Sequence, residues 1–147
     1  MAPSVRDYLK IRTARPSGFS PTSERVLVGA DLSGTMQLYD VARTGGALRQ
    51  LTHLAEPVGG RYLPDCDDVL LSFDHGGDER LQVHRLAAGS GHLAPVVADR
   101  GHIARAGGVS RDGRLLAYTS NRRTGADFDV WARDLRTGRE RMVFSPG

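Results

Sequence analysis

Three stretches of this chain can be laid over one another, and that repetition limits the fold more than any other feature of the sequence. They are GFSPTSERVLVGADLSGTMQLYDVARTGGALRQLT at 18–52, GRYLPDCDDVLLSFDHGGDERLQVHRLAAGSGHLAPVV at 60–97 and GGVSRDGRLLAYTSNRRTGADFDVWARDLRTGRERMVF at 107–144. Each opens with the end of a short strand and a polar turn: Ser20-Pro21-Thr22-Ser23, Pro64-Asp65-Cys66-Asp67 or Ser110-Arg111-Asp112-Gly113. An apolar strand follows (RVLVGA, VLLSF or RLLAYTSN), then a glycine-containing loop. A third strand comes next (MQLYDV, LQVHRL or FDVWARDL), and after a glycine turn a fourth (ALRQLT, HLAPVV or RERMVF).

Pro21 and Pro64 are 43 residues apart, and Pro64 and Arg111 are 47 apart. Four short strands in a period of that length are the signature of a β-propeller blade. Helical repeats would need apolar residues at i, i+3, i+4 and i+7, and these segments show short β-branched and aromatic runs broken by Gly, Pro and Asp. VLVGA and VLLSF are apolar on both faces, as expected of strands covered on both sides by neighbouring blades. The third strand reads as partly exposed, with Asp129 and Arg133 as its charged positions. The expected fold is all-β: a partial propeller of about three four-stranded antiparallel blades, near 15–57, 58–103 and 104–147, behind a lead-in at 1–14. Within the lead-in, VRDYLKIRTA reads either as a short helix, with Val5, Tyr8, Leu9 and Arg12 on one face, or as an extended strand.

Composition narrows the functional classes. The 147 residues are 39% hydrophobic and 25% charged, enough for one domain with its own core. The net charge is +3, yet Lys10 is the only lysine and the arginines are interleaved with aspartates. No clustered basic patch with aromatic platforms forms, so nucleic acid is not an expected partner. The single cysteine, Cys66, rules out an intrachain disulfide and suits a reducing compartment. No signal peptide is visible in MAPSVRDYLKIRTARP, and no apolar run nears the roughly 18 residues of a membrane span. The expectation is a cytoplasmic protein with no membrane partner.

The third repeat resembles the SPDGRRLAYTSN…G…DVWVRDLATG pattern of prolyl oligopeptidase-family propellers, a group that includes acylaminoacyl peptidases. The stretches YLKIRTARPSGFSPTSERVLVGADLSGTMQLYDV and AEPVGGRYLPDCDDVLLSFDHGGDERLQVHRL are similar to the opening of such a propeller. SRDG with DVWARDLRTG also resembles TolB-like propellers. Departures are Thr22-Ser23 in place of Asp-Gly, the sequence LPDCDD in repeat 2, and Arg111 in place of proline. The resemblance implies a non-catalytic N-terminal propeller that selects peptides for a C-terminal α/β-hydrolase domain carrying the Ser-Asp-His triad, a domain absent from these residues.

The chain's own candidates for chemistry are few. A nucleophile elbow reads G-x-S-x-G and turns from strand into helix. After Ser110 the second glycine comes one place late, a strand follows, and Ser20 occupies the same place in repeat 1, so Ser110 reads as a turn residue. Gly89-Ser90-Gly91-His92 reads as a loop. His53, His75, His84, His92 and His102 lack the spacing of a zinc site. Asp65, Asp67 and Asp68 lack the glycine and later glutamate of a calcium loop, and read as a solvated turn. Neighbouring acids disfavour a Cys66 thiolate. Arg122, Arg123, Asp127 and Asp129 read as a solvated, salt-bridged loop, with a peptide-contacting role in a central channel as the alternative. No catalytic, cofactor-binding or metal-binding residue is assigned, and no cofactor is expected.

A closed propeller takes about four to eight blades, so three would leave two apolar flanks open. Expected partners are therefore the hydrolase domain or further copies of the chain through those faces, together with peptides. The competing readings are a free-standing TolB-like or WD-repeat-like protein-binding module, and a β-sandwich whose strands happen to repeat.

Overall fold

The computed structural model describes residues 10–147. Residues 5–9 of the lead-in lie outside that range, and residues 11–13 carry no regular structure. Twelve strands follow: β1 (Ala14–Phe19), β2 (Arg25–Ala30), β3 (Gln37–Ala42), β4 (Arg49–Gln50), β5 (Gly59–Tyr62), β6 (Val69–Phe73), β7 (Gln82–Leu86), β8 (Leu93–Val97), β9 (Ala104–Val109), β10 (Leu115–Ser120), β11 (Asp129–Asp134) and β12 (Glu140–Phe144). They form three antiparallel four-stranded meanders in chain order, β1 to β4, β5 to β8 and β9 to β12. These are the blades of a propeller, stacked face to face.

The pattern of VLLSF explains how the middle sheet is held. Alternate side chains of a strand point to opposite faces. Val69, Leu71 and Phe73 join Leu27, Leu38, Val58 and Leu86 in the core against the first sheet. Leu70 faces the other way and joins Leu63, Val83, Val97, Ala104, Leu116 and Tyr118 against the third. Every apolar residue of β6 is thus buried, as a strand without a polar alternation requires. The faces of the first and third sheets turned away from the second have no other sheet against them among the described residues. Leu115, Met142, Val143 and Phe144 stand 44–61% exposed in the third sheet.

Two buried glutamines tie the first two sheets to the segments that lead into the next. Gln37 and Gln82 open the third strands of the first two sheets, each 1% exposed. Gln37 donates to the carbonyls of Leu54 and Glu56 and accepts from the Leu54 amide. Gln82 donates to the carbonyl of His102 and accepts from the Asp99 amide. Each amide side chain therefore satisfies backbone groups of the segment leading into the next sheet, groups that would be costly to bury unpaired.

Asp129 holds the equivalent place in β11, opposite Ser120 as Gln37 is opposite Ala30. It is fully buried, which corrects the expectation of an exposed charge there. Burial is tolerated because Arg123 approaches it with two nitrogens, Nε at 2.7 Å and Nη2 at 3.0 Å. Arg123 also donates to Ser145 Oγ and the Gly147 carbonyl, and Arg122 stacks on Trp131 at 3.6 Å and pairs with Glu140. The Arg122–Arg123 loop is structural, tied into its own sheet.

The acidic turn of repeat 2 is likewise not simply solvated. The Ser20 hydroxyl donates to Asp67 across the first two sheets. Asp68 pairs with Arg85 at 2.6 Å. Asp65 lies against Gly113 of the third sheet, whose added Cβ would overlap its carboxylate. The turn pins the middle blade to both neighbours.

Candidate functional site

The first strands of the three sheets converge, while the fourth strands pack mainly within their own sheets. β1 packs beside β5, and β9 beside β6 and β7. Between the first strands runs a groove of about 610 Å³ bordered by Ser17 of β1, Pro57 to Arg61 around β5 and Ala106 of β9, with Leu70 and Ser72 in its wall. This is the axial side of the propeller.

Its chemistry follows from the strand edge. Among the described residues β5 pairs only with β6, so its other edge presents backbone N–H and C=O groups to the groove. Gly59 and Gly60 leave that edge bare of side chains. Gly60 is required by packing, since a Cβ there would stand 2.9 Å from Leu38 Cδ1 and 2.9 Å from the Leu70 carbonyl. Gly59 has open space around it. An unobstructed edge strand can receive an extended chain through main-chain hydrogen bonds. Arg15, Arg61 and Arg105, one on each first strand, are all exposed. Their signal in the sequence is an arginine without any acid in the first strand of every repeat.

A second cavity, about 410 Å³, lies between the first and second sheets, near their strand 1-to-2 turns. Leu51, Val69 and Leu86 make its apolar lining, and Arg25, Asp40, Arg49, Tyr62 and Asp67 its polar side. Asp40 receives Arg25 at 2.5 Å and Arg49 at 2.5 Å. Burial raises the Asp40 carboxyl's affinity for a proton, but the hydrogen bonds from Arg49 and Arg25 outweigh it and hold the group below the usual carboxylate range. Burial, then the charges of Asp40 and Asp67, pushes the Tyr62 phenol up to about 12. The cavity's charges are mutually neutralised, which suits a structural core better than a reaction centre.

The residues singled out from the sequence are not brought together. Ser110 closes its own turn: its Oγ donates to Asp112 at 2.5 Å and accepts from the Leu115 amide at 2.8 Å. The loop at 89–92 is exposed at its tip, where the His92 amide donates to Ser90 Oγ at 3.2 Å. His75 and His84 flank Phe73, His102 pairs with Asp99, and His53 and His92 are exposed. Among the described residues no group of three or more His, Cys, Asp or Glu is placed to hold a metal ion. Burial first, and then Asp68 and Asp65, raises the Cys66 thiol. No helix among the described residues is long and apolar enough to cross a membrane.

No family model and no curated protein matches the chain. Solved structures do. TolB from Acinetobacter baumannii superposes with a TM-score of 0.72 at 24% identity, over 88% of this chain and 32% of that one. A putative TolB from Agrobacterium tumefaciens gives 0.71 at 16%, over 90% and 49%. A Mycobacterium tuberculosis puromycin-hydrolyzing peptidase gives 0.63 at 16%, over 91% and 21%. The chain thus spans less than half the length of each of these proteins. At such identities the likeness speaks to architecture, and with three stacked four-stranded meanders it establishes that these residues have the fold of a TolB-like β-propeller segment.

Proposed function

We propose that the chain is a non-catalytic propeller module that admits extended peptides along its axial groove, as the N-terminal propeller part of a prolyl oligopeptidase-like serine peptidase whose hydrolase domain lies outside these residues. The observation that carries this reading is the open edge of β5 at Gly59 and Gly60, facing a groove of about 610 Å³. The sequence resemblance and the likeness to a peptidase propeller support it. Binding of a fluorescein-labelled, uncharged Gly-Ser-Val repeat peptide tests the groove. Gly59→Trp should abolish it by filling the groove, at a position where an added Cβ meets nothing within 4 Å. Binding that is absent in the wild type, or unchanged by the tryptophan, overturns the reading.

A second reading, a free-standing TolB-like protein-binding module, is favoured by the higher TM-scores of the two TolB structures. The codons after Gly147 separate the two. An open frame through more blades into a G-x-S-x-G hydrolase domain supports the peptidase module; a propeller that ends without one supports the free-standing module.

A further inference from the structure

Each of the three axial strands carries one arginine and no acid: Arg15 in β1, Arg61 in β5 and Arg105 in β9. Their register gives them a common direction. Residues opposite each other in adjacent antiparallel strands share a face. Arg15 is opposite Gly29, Arg61 opposite Leu70 and Arg105 opposite Thr119. Leu70 belongs to the face of its sheet that packs on the following sheet. Gly29, opposite Leu38 in β3, belongs to the matching face of the first sheet, and Thr119, on the opposite face to the inward-facing Tyr118, to that of the third. One guanidinium therefore stands on the same side of every axial strand.

These arginines are unlike others in the chain. Arg25, Arg49, Arg85, Arg114 and Arg123 are spent on carboxylates. Arg15, Arg61 and Arg105 are exposed and have no carboxylate partner among the described residues; Arg105 lies over the Phe128 ring at 4.5 Å. Carboxylates of the neighbouring segments are engaged elsewhere. Asp31 accepts from the Thr13 amide, Glu56 from the Gly76 amide, and Asp129 is paired with Arg123. Arg61 lines the groove itself, while Arg15 and Arg105 stand on the flanking axial strands outside its lining, Arg105 on the open face of the third sheet. Three cations without a carboxylate partner among the described residues, on strands that carry no acid, attract negative charge to this side of the molecule.

We propose that the axial groove selects acidic peptides: extended chains whose main chain lies along the β5 edge and whose Asp or Glu side chains meet Arg15, Arg61 and Arg105. This rests on the peptide-admitting reading above and adds the substrate's charge. A peptide is favoured over other polyanions because the groove offers a bare strand edge, with main-chain donors and acceptors, beside Arg61, and an extended chain that runs on across β1 and β9 would reach Arg15 and Arg105. Each arginine can hold a carboxylate by two parallel hydrogen bonds.

The test measures fluorescence anisotropy of the 147-residue chain with labelled peptides of one length, rich in Glu, in Gln or in Lys. The Glu peptide should bind at least about tenfold more tightly than the Gln peptide, a gap that shrinks as salt rises. The triple variant Arg15→Gln/Arg61→Gln/Arg105→Gln should bring Glu and Gln peptides within about twofold of each other and leave Gln-peptide binding as it was. Arg111→Gln/Arg136→Gln/Arg139→Gln, at three exposed positions outside the groove, removes the same three charges, serves as the control for net charge and should keep the preference. Equal affinities in the wild type, or a preference that survives in the triple variant, overturns the proposal. Tighter binding of a uronate oligomer or single-stranded DNA than of the Glu peptide also overturns it, in favour of a different polyanion. Gly59→Trp keeps the two readings apart. If it blocks both peptides while the triple variant changes nothing, charge selection falls and the groove stands. If it blocks neither, the groove reading falls.

Discussion

Arg25 on β2 and Asp40 on β3 meet at 2.5 Å on one face of the first sheet, and at the same two places of the second sheet stand Asp68 and Arg85 with their charges exchanged. The register makes the equivalence. Ala30 and Phe73 end the second strands opposite Gln37 and Gln82, so Arg25 and Asp68 lie five residues back and Asp40 and Arg85 three residues on. What the repeat preserves is a neutral pair, not its polarity. In the third sheet the pair shifts to Arg114 and Asp134 at 2.8 Å.

Asp40→Asn should be among the costlier single changes in the first sheet. It leaves Arg25 and Arg49 converging on a neutral side chain at a place 1% exposed. Because both guanidiniums reach partly into water, the cost should be about 2 kcal/mol, below that of a fully buried pair. The folded-state proton affinity of Asp40 lies below its unfolded value. Its contribution is therefore complete above about pH 4 and is lost as pH falls through the lower folded value. Urea melts from pH 7 down to 2.5 should show a steeper acid loss in the wild type than in the asparagine variant.

Gly113 and Gly125 separate backbone strain from steric contact. Both have positive φ, +68° and +80°, so alanine at either is strained by the backbone alone, at about 1 kcal/mol. Only Gly113 has a neighbour in the way, the Asp65 carboxylate of the preceding blade. Gly113→Ala should therefore cost clearly more than Gly125→Ala in chemical denaturation, and Asp65→Ala should narrow the difference. Equal costs would mean that the turn of the second blade does not press on the third.

The propeller was legible because it is written three times. VLLSF announced burial on both faces, and Ser110 could be placed in a turn because Ser20 recurs at its position in the first repeat. The burial of Asp129 was not legible, because its neutralising partner sits six residues away in a loop whose path no periodicity reveals. Nor was the groove. Which strand of a four-stranded blade faces the axis depends on how blades stack, and Arg15, Arg61 and Arg105 are exposed residues that carry no burial signal. The contact of Asp65 with Gly113 spans two repeats and has no trace within either.

His84 should act as a mild destabiliser in weak acid. Its ring stacks on Phe73 at 4.4 Å, it is 8% exposed, and its Nδ1 has no hydrogen-bond partner. Burial, and to a lesser degree His75, lowers its proton affinity in the fold. The unfolded chain then binds the extra proton first, so stability is full above about pH 6.5 and falls as pH drops toward the lower folded value. His84→Phe keeps the stack and removes the unpaired nitrogen. It should raise stability at pH 6 by about 1 kcal/mol and flatten the profile between about pH 5 and 6.5, read by thermal melts across that range.

Ser110 should prove inert as a nucleophile and useful as a turn. A serine becomes nucleophilic when a neighbouring base takes its proton. The group beside Ser110 Oγ is Asp112, and the hydroxyl's hydrogen bond is the first cause of that carboxylate's lowered proton affinity. A carboxylate held below its usual range is a poor base, and no histidine contacts this serine. A fluorophosphonate probe should leave the chain unlabelled; labelling that disappears in Ser110→Ala would refute this. The same variant deprives the Leu115 amide of its acceptor and should cost about 1 kcal/mol in urea unfolding. Ser20→Ala should cost more, because the Ser20 hydroxyl accepts from the Ser23 amide within its turn and also donates to Asp67 in the next sheet.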